Sequence, residues 1–213
     1  MGGDPAHGAV WEVLVKEDET WTSEEYGKSH EGRVGTLLED GSSPKAVYFD
    51  SNSGGFGWEV SHWSVYDGGT YPQRPQAHAL QGECSCGWRG EPRIVDRTTA
   101  DDLPFREYGW ETAGECQDGW DEHIQAVADT TVPLPAELET LLHDVGEAIE
   151  RLGQDAPTAA LKAARSLELI AARTAHGPAH DARGQDPEKV AAALGLNIDD
   201  SRALLARYGG WIY

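Results

Sequence analysis

The strongest constraint on the fold of this chain is the stretch His78-Ala-Leu-Gln-Gly-Glu-Cys84-Ser-Cys86-Gly-Trp88. Two cysteines separated by one residue, with a glycine directly after the second, can turn tightly and direct both sulfur atoms at one soft cation. Oxidation of such a pair to a disulfide would close a badly strained ring. We therefore predict a structural zinc site on a hairpin or knuckle that covers roughly residues 77–95.

A zinc site of this kind needs two ligands besides the cysteines, because structural zinc usually takes four ligands in a tetrahedron. His78 lies six residues before Cys84, a separation that one extended turn can fold back on itself. His123 belongs to a predicted short helix, residues 120–128, that would pack over the knuckle. The predicted ligand set is His78, Cys84, Cys86 and His123, with Zn²⁺ as the cofactor.

Two alternatives to this ligand set stay open. Cys116 is the main rival ligand. A continuous helix would place it two turns, roughly 10 Å, from His123, whereas a break at Gly119 would let both approach one metal. The two clustered cysteines could also be ordinary buried thiols with no metal between them.

The chain is acidic, and most of the acidity lies in its N-terminal part. The formal net charge is −20; residues 1–133 contain 25 Asp and Glu against 9 Lys and Arg, and the remaining 80 residues contain 12 against 8. Such a field repels nucleic-acid backbones and anionic membranes and attracts basic surfaces. We expect a protein partner with a basic surface, no membrane partner, and DNA binding that the charge disfavours.

The cysteine count and the hydropathy predict a cytoplasmic protein. Three cysteines in 213 residues do not make a disulfide framework, so a reducing compartment fits better. The N-terminal Met1-Gly-Gly-Asp-Pro5 has no basic flank or apolar stretch of the kind found in signal peptides. No segment approaches the roughly 18 apolar residues that a membrane-spanning helix needs.

The first 133 residues form the first predicted domain, an acidic, strand-rich one that contains the knuckle within about residues 77–128. Its strands are indicated by short runs of β-branched and aromatic residues between turn-forming clusters. They are expected at residues 10–15, 35–38, 46–49, 58–60 and 63–66. Residues 98–118 have weak periodicity and many acids, so we predict a surface loop there.

Residues 134–213 form the second predicted domain, which is helical. Apolar residues recur at helical spacing from Leu138 to Leu152, with Pro135 near the first helical position and Gly153 as a stop signal. Further helices are expected at residues 157–175, 187–194 and 199–208, with a polar linker at residues 179–185. The predicted fold class is α+β, a small antiparallel sheet with a zinc knuckle followed by a C-terminal helical bundle.

The motif around the cysteines resembles a known pattern. A histidine followed by Cys-x-Cys-Gly-Trp-x-Gly, with Trp-x-x-His downstream, is similar to a zinc knuckle in small bacterial and phage proteins. The resemblance covers residues 78–123 and implies ligands at His78, Cys84, Cys86 and His123. It implies an element of structure and not an activity.

The C-terminal helices, over about residues 135–208, are similar to a bacterial helix-turn-helix, in which an alanine and a glycine let two helices cross closely. That resemblance implies DNA contacts from Lys189, Arg202 and Arg207. Two carboxylates, Asp199 and Asp200, occupy the helix end that should approach the bases. A degenerate unit that has kept the helix crossing and lost DNA binding is an equal alternative.

The chain ends in the unusually apolar run Gly209-Gly-Trp211-Ile-Tyr213. Terminal residues of this size are seldom left in water, so we expect Trp211 and Tyr213 to bind a groove of this protein or of a partner.

Three functions follow from these patterns, in order of preference. The first is a non-enzymatic, zinc-stabilised regulatory or adaptor protein that acts through protein-protein contacts. The second is a helix-turn-helix transcriptional regulator that binds DNA. The third is a zinc-dependent hydrolase, which would need an open coordination position and a general base such as Glu122. Homodimerisation stays open.

Overall fold

The computed structural model divides the chain into two compact units, Met1–Ala126 and Val127–Tyr213, which we call the strand-rich unit and the helical unit. The described residues are 19–50, 57–70, 73–98 and 103–210. The predicted strand at residues 10–15 and the predicted docking residues Trp211 and Tyr213 lie outside them.

The described residues of the strand-rich unit form two antiparallel sheets. The strands are β1 (Trp21–Ser23), β2 (Gly27–Leu37), β3 (Val47–Asp50), β4 (Gly57–Val60), β5 (Ala79–Cys84) and β6 (Arg93–Ile94). One sheet has the order β1-β2-β5-β6, and β3 pairs with β4 in a separate hairpin. Together with the helices described below, this confirms the predicted α+β class.

Strand β2 begins eight residues before the predicted strand at 35–38. Its first half, Gly27-Lys-Ser-His-Glu-Gly-Arg33, is polar and contains two glycines, and such residues are poor strand formers. This half pairs with β1, with Gly27 opposite Ser23, whereas the second half pairs with β5, from Gly32 opposite Cys84 to Leu37 opposite Ala79. The pairing with β5 joins strands that are not neighbours in the sequence and brings β2 to the cysteine motif.

The predicted strand at residues 63–66 is wrong, because Trp63–Val65 forms a 3₁₀ turn. The backbone N–H of Ser64 donates to Nδ1 of His62 at 3.3 Å, which caps the turn. Trp63 is buried against Phe105 in an edge-to-face contact, with ring centroids 5.3 Å apart. Trp63 is therefore aromatic because it packs in the core, and its presence does not indicate a strand.

The predicted surface loop at residues 98–118 is also wrong. Two helices occupy much of it, α1 (Phe105–Tyr108) and α2 (Trp110–Thr130). The acids of α2 mask its periodicity, but Ala113, Cys116 and Trp120 are buried on one stripe. The predicted helix at 120–128 is the second half of α2.

The helical unit contains five helices among the described residues: α3 (Ala136–Asp155), α4 (Pro157–Thr174), α5 (His176–Ala182), α6 (Pro187–Leu194) and α7 (Ile198–Gly209). Four of them were predicted. Helix α5 replaces part of the predicted polar linker, and α3 continues two residues past Gly153. No helix in the described ranges is long and apolar enough to cross a membrane.

Local signals set the boundaries of α6 and α7. Oδ1 of Asp186 accepts from the backbone N–H of Glu188 at 3.0 Å, and Pro187 follows the cap. Gly195 ends α6 in the left-handed region, with φ 62°. Oδ1 of Asn197 then accepts from the backbone N–H of Asp200 at 2.8 Å and starts α7. Side-chain caps and a C-terminal glycine account for this tight turn between two helices.

Candidate metal centre

The two clustered cysteines lie on a tight turn at the end of β5. Cys84 is the last residue of the strand, and its backbone N–H donates to the carbonyl of Trp88 at 3.0 Å. The N–H of Gly87 donates back to the carbonyl of Cys84 at 2.9 Å. Gly87 has φ 98°, a conformation that L side chains rarely adopt. The glycine after the second cysteine therefore closes the turn, as the motif predicts.

Ser85, between the cysteines, ties this turn to β2. Its hydroxyl donates to the carbonyl of Lys28 at 2.8 Å and accepts from the N–H of Glu31 at 2.9 Å. Its own N–H donates to the carbonyl of Glu31 at 2.8 Å. Gly32 lies opposite Cys84, and His30 is two residues earlier on the same face of β2. The strand pairing therefore brings His30 to the cysteines.

Helix α2 brings His123 to the same place. Ala113, Cys116 and Trp120 are its buried residues, and His123 continues their spacing of three and four. A Cβ on Gly32 would lie 2.5 Å from Nε1 of Trp120, and a Cβ on Gly82 would lie 2.8 Å from the carbonyl oxygen of Cys116. Two glycines of the sheet thus let α2 lie against it.

Four donor atoms converge where β2, the cysteine turn and α2 meet. The ligand atoms of His30, Cys84, Cys86 and His123 all lie within 4.8 Å of one another, so this group could hold a metal ion. Sγ of Cys84 lies 3.7 Å from Nδ1 of His30, and Sγ of Cys86 lies 3.3 Å from Nε2 of His123. The two histidine nitrogens are 3.3 Å apart.

Trp88 covers one side of the cluster. Its ring stacks on that of His123, with centroids 4.7 Å apart and an angle of 7° between the planes. The backbone N–H of Trp88 donates to Sγ of Cys86 at 3.5 Å. The tryptophan that follows the cysteine motif thus fixes the orientation of the imidazole ring.

The cysteines of the cluster differ from the third cysteine in their protonation. A hydrogen bond from the Cys86 thiol, with smaller contributions from His123 and His30, lowers the pKa of Cys84 well below that of a free thiol. The same hydrogen bond raises the pKa of Cys86, since Cys86 keeps the shared proton. Burial raises the pKa of Cys116 to about 12. Only the cluster therefore favours a thiolate, the form that binds metals.

Cys116 does not join the cluster, although the sequence left it open as a rival ligand. Helix α2 continues through Gly119, so Cys116 lies two turns, roughly 10 Å, from His123. It is 3 % exposed and belongs to the apolar core of the strand-rich unit. Its thiol packs as a small apolar group.

His78 is the predicted ligand that the structure does not bring to the cluster. It is exposed and directly precedes β5, so the six steps to Cys84 run along an extended strand and cover roughly 20 Å. The sequence argument assumed that this segment folds back on itself. His30 occupies the fourth position instead, and only the non-local pairing of β2 with β5 could have identified it.

A charged clamp supports the cysteine turn from the other face of the sheet. The carboxylate of Glu83 accepts from Nε and Nη2 of Arg33 at 3.0 and 2.8 Å. Nε of Arg89 lies 3.5 Å from its other oxygen. The Glu83 side chain is only 10 % exposed, so the two arginines balance a largely buried charge. The clamp links β2, β5 and the segment after Trp88.

The three residues predicted for DNA binding lie on α6 and α7. Nη1 of Arg202 is 3.4 Å from the carboxylate of Asp199, and the guanidinium of Arg207 lies 5.3 Å from the ring centre of Tyr208. Lys189 lines a largely apolar cavity of about 480 Å³ within the helical unit. Both arginines thus have partners on their own helix.

Comparison with known proteins gives no relative: no family model, no curated protein and no solved structure matches this chain. The structure therefore supports a possible metal site at His30, Cys84, Cys86 and His123, and no family confirms the resemblance to zinc knuckles.

Proposed function

We propose that this protein is a zinc-stabilised, non-enzymatic regulatory or adaptor protein that acts through protein-protein contacts. The observation that carries the proposal is the convergence of His30, Cys84, Cys86 and His123 at the junction of three elements. It provides two sulfur and two nitrogen donors, a set that suits zinc better than hard cations.

The spacing of the donors supports zinc. Zinc–sulfur and zinc–nitrogen bonds of roughly 2.0 to 2.3 Å in a tetrahedron place neighbouring ligand atoms about 3.3 to 3.8 Å apart. Three of the donor distances are 3.3, 3.3 and 3.7 Å. A zinc ion could therefore bind with little movement of the side chains.

A structural role suits this site better than a catalytic one. Four protein donors complete the tetrahedron, whereas catalytic zinc keeps a position for water or substrate. The ligands come from β2, the turn after β5 and α2, so one ion would join segments that are distant in the sequence. Its binding free energy would then contribute directly to folding. These points favour the adaptor over the zinc-dependent hydrolase.

Metal content tests the zinc site. Protein purified without added zinc is analysed by elemental analysis and native mass spectrometry, and we expect one zinc per 23.1 kDa chain. Cys84→Ser should abolish zinc binding. Cys116→Ser is the matched control, because that thiol lies outside the cluster, and it should retain one zinc. Wild-type protein without metal, or equal zinc in both variants, would refute the zinc site.

The acidic surface supports the choice of a protein partner. Exposed carboxylates of the strand-rich unit include Glu39, Asp40, Asp50, Glu59 and Glu91. A surface of this sign favours a basic partner and speeds its association at low salt. We expect zinc-loaded protein to bind a basic protein partner that is released as salt rises toward about 0.5 M. A partner that stays bound unchanged at that salt would contradict the electrostatic part of the proposal.

A helix-turn-helix regulator is the alternative, and the packing of α6 and α7 favours it. Ala191 and Ser201 are 3 % and 2 % exposed, so the two helices cross closely at the Gly195 turn. Gel shifts with labelled genomic fragments at low salt separate the two functions. We expect no shift; a shift that weakens with salt and with Arg202→Ala would favour the regulator.

A further inference from the structure

Helix α3 presents an apolar stripe to solvent. Leu138, Leu142, Val145, Ile149 and Leu152 recur at spacings of four and three, the pattern by which helices pack against helices. Leu142 is 56 % exposed, and Leu141 beside it is 55 % exposed. A stripe this regular is typical of a helix interface and not of a solvated surface.

Helix α4 packs against α3 in a hairpin and is exposed in a similar way. Leu167 is 39 % exposed and Ile170, one turn later, is 46 % exposed. Ala160 is the buried residue of the hairpin within the described part of the chain. Two helices alone do not bury an apolar stripe, which needs a further layer of structure to cover it.

The charges of the two helices have opposite signs. Helix α3 carries six carboxylates and one arginine, whereas α4 carries three basic residues and one glutamate. Among the described residues, no ion pair involves Asp144 or Glu150 of α3, nor Lys162 or Arg173 of α4. These four charges are therefore free to pair across an interface.

We propose that the α3–α4 hairpin is a dimerisation surface whose occupant is the same hairpin of a second copy of this chain. The two hairpins form a four-helix bundle, with the leucine stripes in its core. The acidic α3 of each copy lies beside the basic α4 of the other. The two α3 helices are then diagonal to each other, which separates the like charges.

Charge complementarity is what selects a second copy as the occupant. A basic partner would match α3 but would place like charges against α4, and an acidic partner would do the reverse. A second copy related by a two-fold axis matches both helices at once, because each surface then meets its complement twice. The inference goes beyond the proposed function and depends on none of the metal ligands.

Oligomeric state tests the interface. Full-length, zinc-loaded protein at roughly 50 µM, well above the Kd of a stable dimer, should sediment and scatter light as a dimer. Leu142→Glu places a carboxylate in the stripe of both copies and should weaken the dimer about 100-fold or more. Ile94→Glu is the matched control, since Ile94 is 70 % exposed on β6, and it should leave the dimer intact. A monomeric wild type, or equal dimerisation in the two variants, would overturn the proposal.

Charge reversal tests the arrangement without relying on the core. One variant carries Asp144→Lys and Glu150→Lys on α3, and the other carries Lys162→Glu and Arg173→Glu on α4. Each alone should dimerise more weakly than wild type, and a mixture should form a heterodimer that restores the affinity. Mixing without recovery would refute the pairing of α3 with α4. Zinc content measured on the same samples separates this failure from failure of the metal site.

Discussion

The two units of this protein stabilise their folds in different ways. The strand-rich unit has a core of large aromatic and aliphatic residues, including Phe49, Trp63 and Phe105, and four possible metal ligands lie close together in it. In the helical unit the buried apolar side chains among the described residues are smaller: Ala160, Ala179, Val190 and Ala191.

The contrast shows which kinds of contact stabilise each unit. The strand-rich unit depends on contacts between residues far apart in sequence, and a metal ion would fix them in place. The helical unit is stabilised by helix caps and turns between residues close in sequence, and most of its leucines are exposed to solvent. The first unit should therefore respond to metal removal and the second to changes at its surface, which the following variants test.

The largest expected effect comes from His30, the ligand that only the fold reveals. His30→Ala should abolish zinc binding and unfold the strand-rich unit. Structural zinc contributes about 10–16 kcal/mol in zinc-finger peptides, as much as the whole stability of many domains. Tryptophan fluorescence should shift to the red because Trp63 and Trp120 become hydrated. Most of the circular dichroism at 222 nm should persist, because α3 to α7 contain none of the four donors.

His78→Ala is the matched control for that experiment. His78 is exposed and lies roughly 20 Å along β5 from Cys84. The variant should keep one zinc and the wild-type fluorescence. The reverse result, zinc lost with His78→Ala and kept with His30→Ala, would restore the ligand set predicted from the sequence.

Thiol labelling should separate the cysteines by orders of magnitude. At pH 8 the raised pKa of about 12 leaves Cys116 with about one thiolate in ten thousand, and burial blocks access to it. Zinc-loaded protein should therefore react slowly with a maleimide reagent, because the zinc ion would also hold the thiolates of Cys84 and Cys86. After a chelator is added, mass spectrometry should show two labels first, on Cys84 and Cys86, and a third only once loss of the metal has unfolded the strand-rich unit. Labelling of Cys116 in the zinc-loaded protein would contradict its place in the core.

Alanine substitutions at Gly82 on β5 and Gly114 on α2 compare a glycine in close contact with a neighbouring element and a glycine with open space around it. Gly82→Ala places a methyl group 2.8 Å from the carbonyl oxygen of Cys116, so α2 must move away from the sheet. Overpacking of this kind costs about 1–3 kcal/mol, and zinc affinity should fall because α2 carries His123. Gly114→Ala meets no atom within 4 Å and should stabilise α2 by about 0.5–1 kcal/mol. Urea unfolding gives both values, and equal effects would contradict the close packing at Gly82.

The sequence predicted the parts of the structure that depend on local signals. The Cys84-Ser-Cys86-Gly87 turn, the Asp186-Pro187 start of α6 and the Gly195 stop are each encoded within a few residues. Pattern alone was therefore enough to place three of the four donors, Cys84, Cys86 and His123, and most helix boundaries.

The parts that the sequence missed depend on contacts between distant residues. Nothing near His30 marks it as a ligand, since its segment is polar and only the pairing of β2 with β5, which begins at Gly32 opposite Cys84, brings it to the cysteines. The acids of α2 hid the stripe of Ala113, Cys116 and Trp120 that continues to His123. A search for that stripe would have extended the helix and excluded Cys116 as a ligand.

The smallest expected effect tests whether the helical unit is held by local signals. Asn197→Ala removes the side-chain oxygen that accepts from the N–H of Asp200 and should destabilise α7 by about 1 kcal/mol. Asn197→Ser keeps an acceptor and should recover most of that loss. Thermal unfolding measures both variants, and zinc content should stay at the wild-type value because no donor lies on α7. Equal melting temperatures for the two variants would show that packing, and not the cap, fixes this turn.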